Sequence, residues 1–149
     1  MHLRVAFLQF VQVSLKALKY KETEFEPQTL GEHIKKRRLT LKVYQREVAE
    51  RFGVDPNTIL NWEKGLTAEP PIKVIPAILA FLGYNPFPAP ITLSERMLAA
   101  RRLRGWTMKE AAQPLGVDPC TWQIWEYTGT IKWRRYQAQV EDLLTELRL

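Results

Sequence analysis

The chain has 149 residues, of which 46% are hydrophobic and 26% are charged. This composition is ordinary for a globular protein and argues against wholesale disorder. The net charge of +6 favours a polyanionic partner such as nucleic acid. The single cysteine, Cys120, excludes an internal disulfide and a cysteine zinc site. Two distant histidines suggest no metal site, so we expect no metal and no cofactor. No apolar run is long enough to span a bilayer.

The first 28 residues are the least informative part of the sequence. Their apolar stretch, residues 3–18, is interrupted by Gln9 and Gln12, and it fits either a strand or a marginal helix. Residues 19–27 have the composition of a linker. An extension that packs loosely and one that is disordered both remain open.

A capping box predicts where the first helix begins. Thr29 can accept a hydrogen bond from the backbone three residues on, and Glu32 can return one to the backbone of Thr29. We expect the helix to run to about Leu41. The basic run 35–37 on this helix could touch phosphates or lie in solvent.

Residues 45–65 predict two short helices joined by a tight turn. Val48, Ala49 and Phe52 form an apolar stripe on the first of them. Gly53 can adopt the left-handed conformation that ends a helix cheaply. The small Ala49 suits a position where the two helices cross closely.

The second of these helices has clear start signals. Asp55 is a good N-cap, and Pro56 suits the first helical position. Ile59 and Trp62, three residues apart, face inward. That arrangement leaves three polar residues off the apolar face, where they could enter a DNA major groove: Asn57, Asn61 and Lys64.

This motif is similar to the helix-turn-helix of the xenobiotic-response-element (XRE) family, the Cro and phage-repressor type with a lambda-repressor-like fold. The resemblance implies an all-α fold and sequence-specific binding of double-stranded DNA by a prokaryotic transcriptional regulator. It covers about one repeat well and a second one loosely. The residues that carry it are Gln45, Ala49, Gly53, Ile59, Trp62, Glu63, Lys64 and Gly65.

A shift of 63 residues aligns the second half of the sequence with the first. Residues 29–64 and 92–127 share 13 identities over 36 positions without a gap, whereas chance would give about two or three. The sequence therefore predicts two tandem lambda-repressor-like units joined by a short proline-rich connector. The predicted divisions are an N-terminal extension at 1–28, an XRE-type domain at 29–87, a linker at 88–91 and a degenerate repeat at 92–149.

Prolines shape the remaining predicted helices. Residues 72–82 read as a helix that either starts near Pro76 or is kinked there. Pro114 falls inside the first motif helix of the second repeat, where it costs about 3 kcal/mol unless that helix ends early. Residues 136–147 look like the closing helix of the second unit.

The chemistry of the first repeat suits DNA. Asparagine amides can pair with adenine edges, each good bidentate contact contributing about 1–3 kcal/mol of discrimination. We expect base contacts from Pro56, Asn57 and Asn61. One such unit binds weakly, so we expect a homodimer on half-sites about one helical turn apart. The resemblance implies a phosphate contact from the glutamine that opens the first motif helix, and the expected phosphate contacts are Gln45, Thr58 and Lys64.

The second repeat departs from the DNA-reading pattern. Met108 replaces Gln45, and Cys120 and Ile124 offer only weak or apolar contacts at the recognition positions. We interpret this repeat as a decayed copy that packs, dimerises or touches phosphates only. Cys120 lies beside a helix N-terminus, which lowers a thiol pKa, so redox sensing is an alternative to a simple small residue. The resemblance also implies structural ion pairs between the first helix and the end of the recognition helix, formed by Arg38 with Glu63 and by Arg101 with Glu126.

The leading interpretation is a cytoplasmic, nucleoid-associated DNA-binding regulator that reads the major groove with helix 55–64. The main alternative is a protein-interaction or antitoxin-like module that keeps the fold with weak or no DNA reading. The aromatic residues of the second half, which lie among arginines, fit a core with a self-association patch or a stacking surface for single-stranded nucleic acid. The sequence has no glycine-rich phosphate loop, nucleophile elbow or zinc-protease motif, so we do not expect an enzyme.

Overall fold

The computed structural model describes residues 24–67 and 69–148, and these residues are all-α, with no strand among them. The apolar stretch predicted at 3–18 lies outside the described residues. The chain divides into two compact units, Met1–Glu69 and Pro70–Leu149. This division falls earlier in the sequence than the connector predicted at 88–91, because the helix that follows Pro71 packs with the elements after it.

The described residues of the first unit form three helices, whose bounds follow from their caps. Helix α1 spans Leu30–Leu41 and opens with the predicted capping box, in which the Glu32 amide donates to Thr29 Oγ1 at 3.2 Å. Helix α2 spans Gln45–Phe52 and ends at Gly53, whose φ of 65° is left-handed. Helix α3 spans Pro56–Glu63 and begins at the N-cap Asp55.

A glycine allows α1 and α3 to approach closely in this unit. Gly31 is buried in the first turn of α1. A Cβ at this position would lie 1.9 Å from the carbonyl oxygen of Trp62. Only a residue without a side chain fits there, since that oxygen belongs to the backbone and cannot rotate away. The apolar side chains buried in the first unit are Ile34, Val48, Ala49, Phe52, Ile59 and Trp62.

The second unit contains the other five α-helices of the described chain. A 3-10 turn at Ile72–Val74 leads into α4, Ile75–Leu82, so the helix starts beside Pro76 and is not kinked by it. Proline is tolerated here because the first helical positions have no intrahelical partner for an N–H. The later helices are α5 (Leu93–Arg104), α6 (Met108–Ala112), α7 (Pro119–Thr128) and α8 (Arg134–Glu146).

The helix bounds repeat at the 63-residue shift found in the sequence. Adding 63 to the bounds of α1 gives 93–104, which are the bounds of α5. The same shift carries α2 onto residues 108–115, where α6 ends at Ala112 and a 3-10 turn, Gln113–Leu115, completes the segment. Pro114 explains the early end, because it cannot donate the next α-helical hydrogen bond.

The second unit has its own hydrophobic core. Trp122 is fully buried there, with Met97, Val140 and Leu144 around it. At the position that corresponds to Gly31 the second unit has Ser94, whose hydroxyl donates to the carbonyl oxygen of Glu126. The crossing of α5 and α7 therefore accommodates a side chain that the crossing of α1 and α3 excludes.

An ion pair gives the second unit a predicted sensitivity to acid. Glu110 receives a hydrogen bond from Lys73 and caps α6 through the Thr107 amide, at 2.8 Å. The lysine, followed by the Thr107 backbone, lowers the pKa of Glu110 from 4.5 to about 2. A lowered carboxyl pKa stabilises the folded state above pH 4.5, and this contribution disappears as the pH falls toward 2. We expect Glu110→Gln to flatten this part of the stability profile of the second unit, measured by thermal melts at acid pH.

The chain offers a matched control for this experiment. Glu47 occupies the equivalent position in α2, where its carboxylate accepts from the Tyr44 amide at 2.6 Å. Glu47→Gln should leave the acid profile of the second unit unchanged. A melting profile for Glu110→Gln that is parallel to that of the parent chain at all pH values would contradict the assignment.

Candidate nucleic-acid interface

Helix α3 holds its recognition side chains from beneath. Ile59 is fully buried and Trp62 is 4% exposed, so the inner face of the helix is fixed in the core. At the N-terminus, Asp55 Oδ1 accepts a hydrogen bond from the backbone N–H of Asn57 at 2.8 Å. At the C-terminus, Gly65 takes a φ of 67° and turns the chain away. A short helix anchored in this way presents its outer side chains in a fixed register.

The outer face of α3 carries the residues predicted to contact bases. Pro56 and Asn57 are exposed, and Asn61 is half-buried. Asn57 and Asn61 are four residues apart and therefore share one face of the helix. Within the described part of the chain, the side-chain amides of Asn57 and Asn61 neither donate nor accept a hydrogen bond. Both side-chain amides therefore keep their donors and acceptors available.

The residues predicted to contact phosphates have different surroundings. Lys64 is exposed at the C-cap of α3, and Thr58 is half-buried in its first turn. Gln45, at the first position of α2, is half-buried, and its amide nitrogen donates to Glu63 Oε2 at 2.8 Å. Gln45 therefore belongs to a side-chain network inside the unit, with one amide hydrogen still available for an outside acceptor.

That network is centred on the buried carboxylate of Glu63. Arg38 donates two hydrogen bonds to this carboxylate, from Nε to Oε1 at 2.7 Å and from Nη2 to Oε2 at 2.8 Å. The same guanidinium donates to the carbonyl oxygen of Val43 at 3.3 Å. The Glu63 side chain is 3% exposed, so these donors replace the water that it loses on burial. The network ties α1, α2 and the end of α3 together.

The second unit builds the same pair from the corresponding residues. Arg101 donates to Glu126 through Nε at 2.7 Å and Nη2 at 2.6 Å. Its third bond goes to the carbonyl oxygen of Trp106, at 3.1 Å. Trp106 lies 63 residues after Val43, so each arginine makes the same three contacts.

The third donor to the carboxylate differs between the units. Met108 stands where Gln45 stands in the first unit and cannot donate. Instead of a glutamine amide, the indole Nε1 of Trp122 donates to Glu126 Oε2 at 2.8 Å. Trp122 occupies the position of Ile59, so the third donor lies on α2 in the first unit and on α7 in the second. Sequence reasoning missed this exchange, although residues four apart on a helix, such as Trp122 and Glu126, are close enough to bond.

The redox hypothesis for Cys120 is wrong in its physical premise. Cys120 is exposed near the N-terminus of α7, but Asp118 accepts a hydrogen bond from the thiol and adds a negative charge nearby. These two effects raise the pKa of the Cys120 thiol, whereas a helix N-terminus alone would lower it. The thiolate, which is the reactive form, is thereby disfavoured.

Replacing Asp118 should make this cysteine more reactive. In the parent chain, Asp118 Oδ1 accepts from the backbone N–H of Cys120 at 2.8 Å. Asp118→Asn keeps an N-cap side chain that can accept this bond, and it removes the negative charge. We expect a lower thiol pKa and faster alkylation of Cys120 by iodoacetamide near neutral pH, followed by mass spectrometry. Asp55→Asn, at the same position of α3, is the matched control. An equal or slower rate for Asp118→Asn would contradict the proposed cause.

Comparison with known proteins identifies the first motif. Residues 34–87 match the model of a helix-turn-helix family. This is a family of DNA-binding regulators, and enzymatic activity is not typical of it. The matched helix-turn-helix residues include α2, α3 and α4 and extend past the division at residues 69 and 70. The domain boundaries expected from the sequence remain a prediction. No curated protein and no solved structure matches the chain.

The described residues contain neither a helix that could span a membrane nor a group of side chains that could hold a metal ion. None of their helices has the length and apolar character required to cross a membrane. In the same residues, no cluster of histidine, cysteine, aspartate or glutamate side chains is arranged to hold a metal ion. The candidate functional site is the helix-turn-helix surface of the first unit, which lies within the family match.

Proposed function

We propose that the chain is a sequence-specific double-stranded DNA-binding protein, a prokaryotic transcriptional regulator that acts in the cytoplasm at the nucleoid. The observation that carries this proposal is the exposed Asn57, with the half-buried Asn61 one turn further on, on a helix anchored by Ile59 and Trp62. Amide side chains in this arrangement can pair with adenine edges in the major groove. The family match over residues 34–87 supports the same reading.

The phosphate contacts would position the reading helix. Lys64 is exposed at the end of α3 and can reach a phosphate. Gln45 is oriented by its bond to Glu63, so its remaining amide hydrogen would meet a phosphate without a search through rotamers. Thr58, in the first turn of α3, would add a third contact. Pro56 would contact a base edge or a thymine methyl through its ring.

We also propose that residues 92–149 are a degenerate copy of the helix-turn-helix domain that precedes them. The repeated helix bounds and the repeated Arg101–Glu126 pair support this relationship. The recognition positions of the copy hold Cys120 and Ile124, which cannot make bidentate base contacts. The copy would therefore not read sequence, and two chains would pair to place two reading helices on adjacent half-sites.

Selection from random duplex DNA tests the reading helix. The parent chain should enrich a defined motif, and Asn57→Ala with Asn61→Ala should lose the motif while keeping salt-sensitive binding. We expect the double substitution to cost about 1–3 kcal/mol of discrimination at each contacted base. The matched control is Gln113→Ala with Gln139→Ala, which removes two exposed side-chain amides of the second unit and should keep the motif. Enrichment of the same motif by the Asn57 and Asn61 variant would overturn the assignment.

A salt titration separates this function from its main alternative. A protein that contacts phosphates loses affinity steeply as salt rises, and Lys64→Ala should reduce the slope by about one ion. The alternative, a protein-interaction or antitoxin-like module, is favoured by the apolar outer face of α7, where Ile124 and Tyr127 are exposed. A complex formed through such a face should respond weakly to salt.

A further inference from the structure

The outer face of α7 is uncharged and exposes large apolar side chains. Its fully exposed residues carry no formal charge at neutral pH, and Glu126, its only acidic residue, is buried in the pair with Arg101. Ile124 is 59% exposed and Tyr127 is 89% exposed. Large apolar side chains on a helix surface without charges are typical of a protein contact.

The same face also contains a groove of about 530 Å³. Leu98 and Met108 form part of its lining, and Ile124 and Tyr127 stand along it. One patch thus provides both the protruding side chains and the concave surface that could receive them. This is the requirement for a two-fold contact, in which the same patch is used by both copies.

The two units differ in the chemistry of this face, although their helices begin at corresponding positions. The polar residues Asn57, Asn61 and Lys64 correspond to Cys120, Ile124 and Tyr127 at the 63-residue shift. Beneath the face, Trp122 restores the hydrogen bond that Met108 cannot make to Glu126. The face of α7 therefore lacks the amide donors and the cation that the corresponding face of α3 carries.

Charge selects the partner for this face. An acidic protein or a nucleic acid would need cations here, and α7 exposes none. A second copy of a chain with net charge +6 needs the opposite, a contact surface free of like charges, because a two-fold axis brings each group near its own copy. We infer that the outer face of α7 is the surface through which two copies of this chain associate.

This inference extends the pairing of chains in the proposed function, and it can be tested without DNA. Sedimentation velocity of the full chain over a wide concentration range should show a monomer–dimer equilibrium. Ile124→Glu and Tyr127→Glu should each raise the dimer dissociation constant by about 30-fold or more, as at interface hot spots. Leu66→Glu changes an exposed apolar residue of the first unit and is the matched control, with no expected effect.

The only cysteine of the chain provides a positional test. Cys120 precedes Ile124 by four residues and Tyr127 by seven, so it lies on the same face of α7. A short bismaleimide should link two chains through Cys120 in the parent and fail to do so in Ile124→Glu. A chain that is monomeric at every concentration, or a dimer unaffected by both substitutions, would overturn the inference.

The outcomes for the interface and for DNA binding are distinguishable. A monomer that still selects a duplex through Asn57 and Asn61 removes the α7 interface and keeps the reading helix. A dimer that is broken by Ile124→Glu but selects no duplex keeps the interface and removes the DNA assignment. Because Ile124 and Tyr127 are exposed, circular dichroism of the variants should match that of the parent, and it serves as the folding control.

Discussion

Replacing Gly31 by alanine should unfold the first unit or leave it marginally stable. Alanine is favoured over glycine inside a helix by about 1 kcal/mol, so propensity alone predicts a more stable α1. The Cβ, however, would lie 1.9 Å from the Trp62 carbonyl oxygen. A clash with backbone forces α1 away from α3, and we expect a net cost of about 3 kcal/mol or more, at the upper end for overpacking. Since domains are stable by only about 5–15 kcal/mol, this loss is large.

Hydrogen exchange in the full chain can measure this effect unit by unit. Amides of α1, α2 and α3 should exchange faster in Gly31→Ala, whereas amides of α5 and α7 should keep their protection. Ser94→Ala is the matched control in the second unit, where it removes one hydrogen bond to the Glu126 carbonyl and should cost about 1 kcal/mol. Unchanged protection of α1 in Gly31→Ala would show that the close approach does not exist in solution.

Replacing Arg38 by alanine should produce the second large effect. The substitution removes both bonds to Glu63 and the bond to the Val43 carbonyl, and it leaves Gln45 as the remaining donor to the carboxylate. A carboxyl group whose side chain is 3% exposed then lies without a cationic partner. We expect a loss of about 3–5 kcal/mol in the free energy of unfolding of the first unit.

Two further variants isolate the buried charge as the cause. Adding Glu63→Gln to Arg38→Ala should recover part of the loss, because a neutral amide costs less to bury than an unpaired carboxylate. Lys36→Ala breaks an exposed pair with Glu26 on the same helix and should cost less than about 1 kcal/mol. Equal losses for Arg38→Ala and Lys36→Ala would indicate that burial contributes nothing.

Local signals predicted most of the helices. Thr29 and Glu32 fixed the start of α1, Gly53 the end of α2, and Asp55 with Pro56 the start of α3, because caps and turns depend on residues close in sequence. Local signals did not predict the division of the chain at residues 69 and 70. It depends on which helices pack with the segment after Pro71, and such packing involves residues far apart in sequence.

The candidate site shows the same limit. The outward positions of Asn57 and Asn61 follow from helical periodicity alone, so the sequence could predict them. The role of Gln45 as a donor to Glu63 could not be predicted in this way, because it requires two helices to meet at a buried carboxylate. The close approach of Gly31 to the Trp62 carbonyl oxygen could not be predicted either, because a single glycine in a sequence does not indicate which backbone atom lies opposite it.

The exchange of donors at Glu126 has a consequence for the history of the chain. If both halves descend from one ancestral segment that carried the glutamine and the isoleucine, two replacements separate Trp122 and Met108 from Ile59 and Gln45. Methionine arriving first would leave an intermediate whose carboxylate lacked one donor, whereas tryptophan arriving first would not. Under that descent, we expect the tryptophan to be the older of the two changes. A reconstructed intermediate with tryptophan and glutamine should have a higher melting temperature than one with isoleucine and methionine.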